Sequence, residues 1–398
     1  MRVTQAVILA GGYGTRLKPF TDTMPKPMYP FYGKPFLEYL VEQVKSFGIT
    51  DIVLLLGYLP EKVEEYFGDG SKWGVEIRYS VTPVEYETGL RIRGAADLLQ
   101  DKFLLMYCDN YCPIDFGRLQ SEFEKNDALI QLTAYANRDG YTKDNFLISE
   151  EGKIEVYDKK RLTPGLRGVD IGYAIISKEV IDLLPEQNHN FEAVVYPALV
   201  ERGRLFATVT EHRYYSVGSW ERIELTEAFL DPSRKFIFLD RDGTLNVRPP
   251  QACYVENPAD FEWIDGAREA VKRLNDAGYT IILISNQPGI ARGNLTEEML
   301  DAIHLKMEED LAGIGACIDA IYYCPHNWDD GCFCRKPKPG MLYEAQKDYS
   351  LDLTKAILIG DDERDIEAGM SARCECVLVS DSYPLAQAVD DLLKGTVE

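Results

Sequence analysis

The chain has 398 residues, 45% apolar and 27% charged, a near-average globular composition that excludes disordered, collagen-like and low-complexity chains. At roughly 100–200 residues per domain the length favours two domains, and apolar runs such as Ile52–Leu56 fall far short of the roughly 18 residues a membrane span needs. A net charge of −22, with both halves acidic, has the wrong sign for gripping a nucleic-acid backbone. Small phosphate ligands fit, because they need only local cations and backbone N–H groups. The N-terminus lacks the roughly 7–15-residue apolar stretch of a secretory signal. The expectation is a cytoplasmic protein without membrane or nucleic-acid partners, its oligomeric state open.

In chain order, apolar runs predict strands at Ala6–Leu9, Asp51–Leu56, Glu76–Tyr79 and Phe103–Tyr107, and helical spacing marks Phe36–Phe47 and Pro60–Phe67. This alternation predicts a parallel α/β sheet. Phe229-Leu230-Asp231-Pro232-Ser233-Arg234-Lys235 suits a linker, placing domains at 1–232 and 233–398. The second unit carries expected strands at Phe236–Leu239, Thr280–Ile284, Ala320–Tyr323, Ala356–Ile359 and Cys376–Val379. Between them lie helical stretches around Ala267–Ala277, Thr296–Leu311 and Met341–Asp348.

After the first strand comes Gly11-Gly12-Tyr13-Gly14-Thr15-Arg16-Leu17-Lys18-Pro19, then Met24-Pro25-Lys26-Pro27-Met28. Glycines after a strand let backbone N–H groups close around phosphate oxygens, and Arg16, Lys18 and Lys26 are placed to neutralise a triphosphate. The spacing is not that of the dinucleotide fingerprint. The segment resembles the signature of sugar-1-phosphate nucleotidyltransferases over about residues 1–230, supported by Gly33-Lys34-Pro35, Cys108-Asp109-Asn110, Asp158-Lys159-Lys160 and Asp170-Ile171-Gly172-Tyr173.

That resemblance implies a Rossmann-like, GT-A-like domain in which Gly11, Gly12, Gly14 and Thr15 hold the nucleotide. Arg16 and Lys26 contact phosphates, Asp109 binds Mg²⁺ and Lys159 pairs with the sugar phosphate. The sugar phosphate attacks the α-phosphorus and expels pyrophosphate, so alignment and charge neutralisation do the work without a side-chain nucleophile. Two departures stand out. Tyr214-Tyr215-Ser216-Val217-Gly218 has serine where the family places a second Mg²⁺-binding aspartate, and a hydroxyl is a poorer Mg²⁺ ligand than a carboxylate. Val84–Arg93 matches the family's base and sugar segment only loosely.

In the back half, Phe236–Leu239 leads into Asp240-Arg241-Asp242-Gly243-Thr244-Leu245. Two carboxylates two residues apart stand where open α/β sheets place their ligands. One can attack phosphorus while the other protonates the leaving oxygen. With Ser285-Asn286-Gln287, Arg335-Lys336-Pro337-Lys338-Pro339 and Gly360-Asp361-Asp362, the series resembles the haloacid dehalogenase superfamily over about residues 235–398. The resemblance implies a Rossmannoid fold with Asp240 as nucleophile and Asp242 as acid/base. Ser285 and Lys336 hold the phosphoryl group, and Mg²⁺ sits on Asp240, Asp361 and the Asp242 main chain, with Asp365 in support.

Cys324, His326, Cys332 and Cys334 follow a C-x-H-x5-C-x-C spacing that can close a tetrahedral, structural Zn²⁺ site. The other six cysteines, Cys108, Cys112, Cys253, Cys317, Cys374 and Cys376, read as ordinary thiols. The zinc loop running into Arg335–Met341 resembles the heptose bisphosphate phosphatases and the related histidinol-phosphate phosphatases, and Asn286–Gly293 leans to the heptose branch. There Asn286, Gln287, Arg292 and Arg335 would contact the substrate's sugar or second phosphate, while Asp362 departs from a commonly basic position.

Together the resemblances imply a bifunctional enzyme whose phosphatase makes a heptose 1-phosphate and whose transferase activates it, with GTP the favoured donor. The same two chemistries on another sugar or polyol phosphate, such as cytidylyl transfer, remain an alternative. So does a non-catalytic front module.

Overall fold

The computed structural model describes residues 2–250 and 253–395, which divide into compact units at Met1–Leu230 and Asp231–Glu398. In the front unit the strands are β1 (Gln5–Ala10), β2 (Asp51–Leu56), β3 (Glu76–Val81), β4 (Lys102–Tyr107), β5 (Ile130–Tyr135), β6 (Val169–Ser177) and β7 (Leu205–Thr210), ordered β7-β5-β6-β4-β1-β2-β3. Every residue of β1 is buried, as a central parallel strand covered on both faces requires. The helix Phe36–Ser46 buries Phe36, Leu37, Leu40, Val41 and Val44, an apolar stripe of helical period facing the core.

The front sheet corrects the all-parallel expectation: β6 runs antiparallel to both β4 and β5. It follows the antiparallel pair Phe146–Ile148 and Ile154–Tyr157 rather than a helix. A helical crossover, which would return the chain parallel, is therefore absent at this point. The β6–β5 register shifts between Asp170 and Ala174, a bulge of the kind that re-aims side chains. Here the Asp170 carboxylate accepts the Gly172 N–H at 2.9 Å.

The back unit is parallel throughout. Its strands β8 (Lys235–Leu239), β9 (Tyr279–Asn286), β10 (Ala320–Cys324), β11 (Ile357–Gly360) and β12 (Glu375–Leu378) are ordered β10-β9-β8-β11-β12. The helix Ala267–Asp276 seals one face with Ala267, Ala270, Val271 and Leu274. Thr296 caps the helix Glu297–Ala312 by accepting the Met299 N–H at 3.2 Å, so the helix starts one residue later than the sequence suggested. Both sheets present functional segments at strand C-terminal ends: β1 and β4 in front, and β8, β9, β10 and β11 behind. No described helix is long and apolar enough to cross a membrane.

One buried group gives this fold a pH dependence. His304, in the helix Glu297–Ala312, has no hydrogen-bond partner at Nε2 among the described residues, and burial, with the Arg241 charge nearby, pushes its imidazole down to about 4. An unfolded histidine titrates near 6.5. Below that pH the unfolded chain takes up a proton that the folded chain refuses, so stability falls as pH drops from about 6.5 to about 4. His304→Gln is expected to remove this contribution, up to roughly 3 kcal/mol across the window. Calorimetry of both proteins at pH 7 and pH 4.5 reads it, and identical acid sensitivity would refute it.

Candidate functional sites

Behind the end of β8, the Asp240 carboxylate is buried and accepts the Lys336 ammonium at 2.5 Å. Lys336 also bonds the Ile284 carbonyl at 3.0 Å and the Asp365 carboxylate at 2.6 Å. Burial pushes Asp240 upward against the pull of this ammonium. Asp365 uses its second oxygen to accept the Asp362 N–H at 3.1 Å, completing a capping box on the helix Glu363–Ser371. Both its oxygens are thus engaged, in keeping with a supporting role.

Asp242 is oriented by three neighbours. Fully buried Arg241 grips both of its oxygens at 3.0 Å, the Asn246 amide donates to Oδ1 at 3.0 Å, and the Gln287 amide donates to Oδ2 at 3.2 Å. Gln287 also donates to Ser285 Oγ at 2.7 Å. Asn286 and Lys336 exchange main-chain and side-chain hydrogen bonds at 3.0 and 3.1 Å, which docks the Lys336 loop against the end of β9.

Carboxylate oxygens of Asp240, Asp361 and Asp365 lie within 4.8 Å of one another. Asp361 Oδ1 is buried without a hydrogen-bond partner among the described residues, and burial lifts the Asp361 carboxyl to about 6. An acidic cluster with an orphaned buried oxygen fits a hard divalent cation. Gly243, with φ +98°, is required here, because a Cβ would collide with the Asp361 carboxylate. A cavity of about 620 Å³ opens above this cluster, its wall including Asp240, Asp242, Ser285, Asn286, Arg292 and Lys336.

At the end of β10, Cys324 Sγ stands 3.3 Å from Cys334 Sγ and 3.6 Å from both Cys332 Sγ and His326 Nδ1, and Cys334 Sγ is 3.3 Å from His326 Nδ1. A zinc tetrahedron of Cys and His ligands has edges of about 3.5–3.8 Å, so the four atoms fit such an ion with no open position. Lys338 donates to the Gly331 and Cys332 carbonyls at 3.1 and 2.8 Å, and Arg335 to the His326 carbonyl at 3.3 Å. These bonds tie the loop to the segment that carries Lys336.

In the front unit, Gly14 has φ +65° and precedes the turn Thr15–Leu17; a Cβ there would lie 2.8 Å from Lys26 Cβ. Lys26 reaches Asp109, at the end of β4, at 2.7 Å. Although burial pushes Asp109 up, the Lys26 ammonium prevails and holds it below the ordinary carboxylate range. Ser216 pairs with Asn110 across a two-residue ladder, and the Val217 N–H donates to the Asp109 carbonyl at 3.0 Å. A Cβ on Gly218 would sit 3.4 Å from Ser216 Oγ and 3.7 Å from Arg16 Nη2. Arg16, Lys26, Asp109 and Ser216 therefore converge. Lys159 bonds the Asn190 side chain at 2.7 Å and lies 3.7 Å from Glu192.

The profile of the family described as Nucleotidyl transferase matches residues 5–229, more than half the chain, and that described as Polynucleotide kinase 3 phosphatase matches residues 235–373. A D-glycero-beta-D-manno-heptose-1,7-bisphosphate 7-phosphatase of Bordetella bronchiseptica is 42% identical over 145 residues, covering 36% of this chain and 80% of the relative. The chain belongs to the nucleotidyl transferases and, through its back half, to the haloacid dehalogenase-type phosphatases. A D-glycero-alpha-D-manno-heptose-1,7-bisphosphate 7-phosphatase of Photorhabdus laumondii is 38% identical over 168 residues, 40% of this chain and 90% of the relative. Among solved structures, HddC from Yersinia pseudotuberculosis complexed with GMP-PN is 25% identical, covering 56% of this chain and 98% of that one, with a TM-score of 0.48.

Within the phosphatase unit, Gln287 is 1% exposed, and its amide nitrogen donates to Ser285 and Asp242, so it orients those two groups. Arg292 and Arg335 do line the cavity, as do Arg248, Tyr254 and Arg364, which sequence reasoning missed. The transferase unit holds another unforeseen element. Arg91, 3% exposed, donates to the Gly11, Leu56, Pro83 and Val84 carbonyls at 3.2, 2.8, 3.1 and 2.9 Å and to Thr82 Oγ1 at 2.6 Å. One guanidinium thus fastens together the end of β2 and the segments that follow β1 and β3.

Proposed function

We propose that the back half removes the 7-phosphate of D-glycero-D-manno-heptose 1,7-bisphosphate and that the front half couples the resulting heptose 1-phosphate to a nucleotide, with GTP as donor. The observation that carries this reading is the union, on one chain, of a phosphatase similar to heptose bisphosphate phosphatases and a member of the nucleotidyl transferase family. The product of the first chemistry is a sugar 1-phosphate, the substrate class that the sequence resemblance implies for the second. GTP rests on the resemblance to standalone heptose transferases.

In the phosphatase step an Asp240 oxygen attacks phosphorus, and the departing sugar oxygen takes a proton from Asp242. The aspartyl phosphate so formed is opened by water, which loses its proton back to Asp242. Lys336 neutralises the phosphoryl oxygens, and Ser285 donates a hydrogen bond to them. A divalent cation held by Asp240 and Asp361 would screen the attacking carboxylate from the phosphate charge. In the transferase step a sugar phosphate oxygen attacks the α-phosphorus of the nucleotide while Arg16 and Lys26 carry the charge of the departing pyrophosphate. Asp109 would hold Mg²⁺ there, and Lys159 would bind the sugar phosphate.

Ser216 favours a second reading, in which the front half binds nucleotide or sugar without turnover, since it leaves Asp109 without a second carboxylate. Ser216→Asp separates the two. On the catalytic reading the wild type forms pyrophosphate from a nucleotide and a sugar 1-phosphate, and the variant changes the Mg²⁺ concentration needed for half-maximal rate. If neither protein forms pyrophosphate with any nucleotide in a panel that includes both heptose anomers, the binding reading replaces it.

A further inference from the structure

In the front unit, the turn that follows the strand Ile154–Tyr157 is wound around one carboxylate. Asp158 Oδ1 accepts the Lys160 and Arg161 N–H groups at 2.8 and 3.1 Å, and Oδ2 accepts the Leu162 N–H, the Thr163 N–H and the Thr163 hydroxyl, each at 2.8 Å. These donors, Thr163 and Leu162 foremost, hold the Asp158 carboxyl well below its ordinary range. With both oxygens spent on its own loop, Asp158 is a staple that fixes where Lys159 and Arg161 leave the turn. Lys159 runs to the start of the helix Phe191–Arg202, where its ammonium donates to the capping Asn190.

Arg161 reaches instead toward Thr142. It carries a left-handed backbone, φ +58°, a conformation that favours glycine over any side chain. Its side chain is exposed and makes one hydrogen bond among the described residues, a long one from Nη1 to Thr142 Oγ1 at 3.4 Å, and no ion pair. Its charge is nevertheless felt within the site. It pulls against the burial and the Glu192 charge that lift the Asp170 carboxyl to about 7, and Arg161 and Asp109 act in opposite senses on the hydroxyl of Tyr214, two residues before Ser216.

Glycine would meet the backbone requirement at this position without strain. What arginine adds is a guanidinium, a planar fork matched to phosphate oxygens. On the transferase reading Asp109 and Lys159 bracket the reacting phosphates; Arg161 shares the turn of Lys159, and its charge and that of Asp109 converge on Tyr214. Ser216 gives such a cation a use, because a hydroxyl stands where a second carboxylate would help hold divalent charge against the phosphates, and a fixed guanidinium supplies positive charge there from another loop.

We infer that Arg161, set in place by the Asp158 staple, binds the phosphate of the incoming sugar phosphate together with Lys159. Asp158 is then a positioning residue and Arg161 a substrate-binding one. This rests on reading the front half as a transferase and deepens it.

The test assays the full chain as wild type, Arg161→Gly and Arg161→Lys, using heptose 1-phosphate of each anomer with GTP, or with whichever nucleoside triphosphate supports turnover. Glycine suits φ +58°, so the first variant removes the guanidinium without burdening the fold, while the second keeps the charge and loses the fork. For Arg161→Gly the expected result is a rise of about tenfold or more in KM for the sugar phosphate. The KM for the nucleotide and phosphate release by the back half should stay unchanged, with a melting temperature no lower than that of the wild type. Arg161→Lys is expected to recover part of the loss. If Arg161→Gly keeps the wild-type KM for the sugar phosphate, or raises both KM values alike, the role of Arg161 is refuted while the transferase reading stands. If the wild type forms no pyrophosphate from either anomer with any nucleoside triphosphate, the transferase reading fails and the role of Arg161 fails with it.

Discussion

An Asp240→Asn variant is expected to lose phosphate release by at least about 10⁴-fold, the scale seen when a covalent nucleophile is removed from a preorganised site, while forming pyrophosphate at the wild-type rate from supplied heptose 1-phosphate. The amide keeps the shape of the carboxylate and can still accept the Lys336 hydrogen bond at Oδ1, found at 2.5 Å in the wild type. The Lys336 ammonium also keeps the Asp365 carboxylate at 2.6 Å, so folding is spared the main cost of breaking a buried pair, an uncompensated charge. What the variant lacks is an anionic oxygen able to attack phosphorus and one ligand of the cation cluster. The transferase residues Arg16, Lys26 and Asp109 lie in the other compact unit, so their chemistry is independent of this change. Parallel assays of phosphate and pyrophosphate check both halves. Loss of both activities together would contradict two separate sites, and retained phosphatase activity would remove Asp240 from the role of nucleophile.

The second large effect concerns the zinc loop. Stripping the metal with a strong chelator, or replacing Cys334 with Ser, is expected to unfold or strongly destabilise the back half while pyrophosphate formation by the front half persists. Closed Cys/His sites in zinc-finger peptides bind with roughly 10–16 kcal/mol, comparable to the whole stability of roughly 5–15 kcal/mol of a typical domain. Without the ion, three thiols and an imidazole are left packed against one another at 3.3 to 3.6 Å. The damage should reach the chemistry, because Lys338 and Arg335 lash this loop to the segment that delivers Lys336 to Asp240. Calorimetry with and without chelator, alongside both activity assays, reads the outcome. Purified protein without a stoichiometric metal, or a back half equally stable after chelation, would refute a structural ion.

Much of this arrangement was legible in the sequence because the chemistry clusters at strand ends. Asp240 follows β8, Ser285 is the next-to-last residue of β9, Cys324 ends β10 and Asp361 follows β11, so each candidate functional group sits beside an apolar run that can be recognised on its own. The four residues that fit a zinc ion lie within eleven consecutive residues, where spacing alone implies geometry. What escaped was pairing across long stretches of chain. Arg91 reaches Gly11 over 80 residues and Arg248 reaches Asp361 over 113, and neither arginine belongs to a motif that would single it out. The antiparallel course of β6 was hidden for a related reason, since an apolar run reads the same in either direction and only its connection decides. The inward turn of Gln287 toward Ser285 and Asp242 was not legible either, because its sequence neighbours Asn286 and Pro288 line the cavity.

Phosphorus NMR of the purified protein with Mg²⁺, heptose 1,7-bisphosphate of each anomer and each nucleoside triphosphate in separate tubes tests the central claim most directly, because it follows both reactions in one spectrum. The account predicts loss of the 7-phosphate signal with growth of inorganic phosphate in every tube containing the accepted anomer. The paired signals of a nucleotide diphosphate sugar should follow in the GTP tube. Phosphate release without such a pair in any tube would contradict the coupling of the two halves, and an unchanged bisphosphate would contradict the reading at its first step.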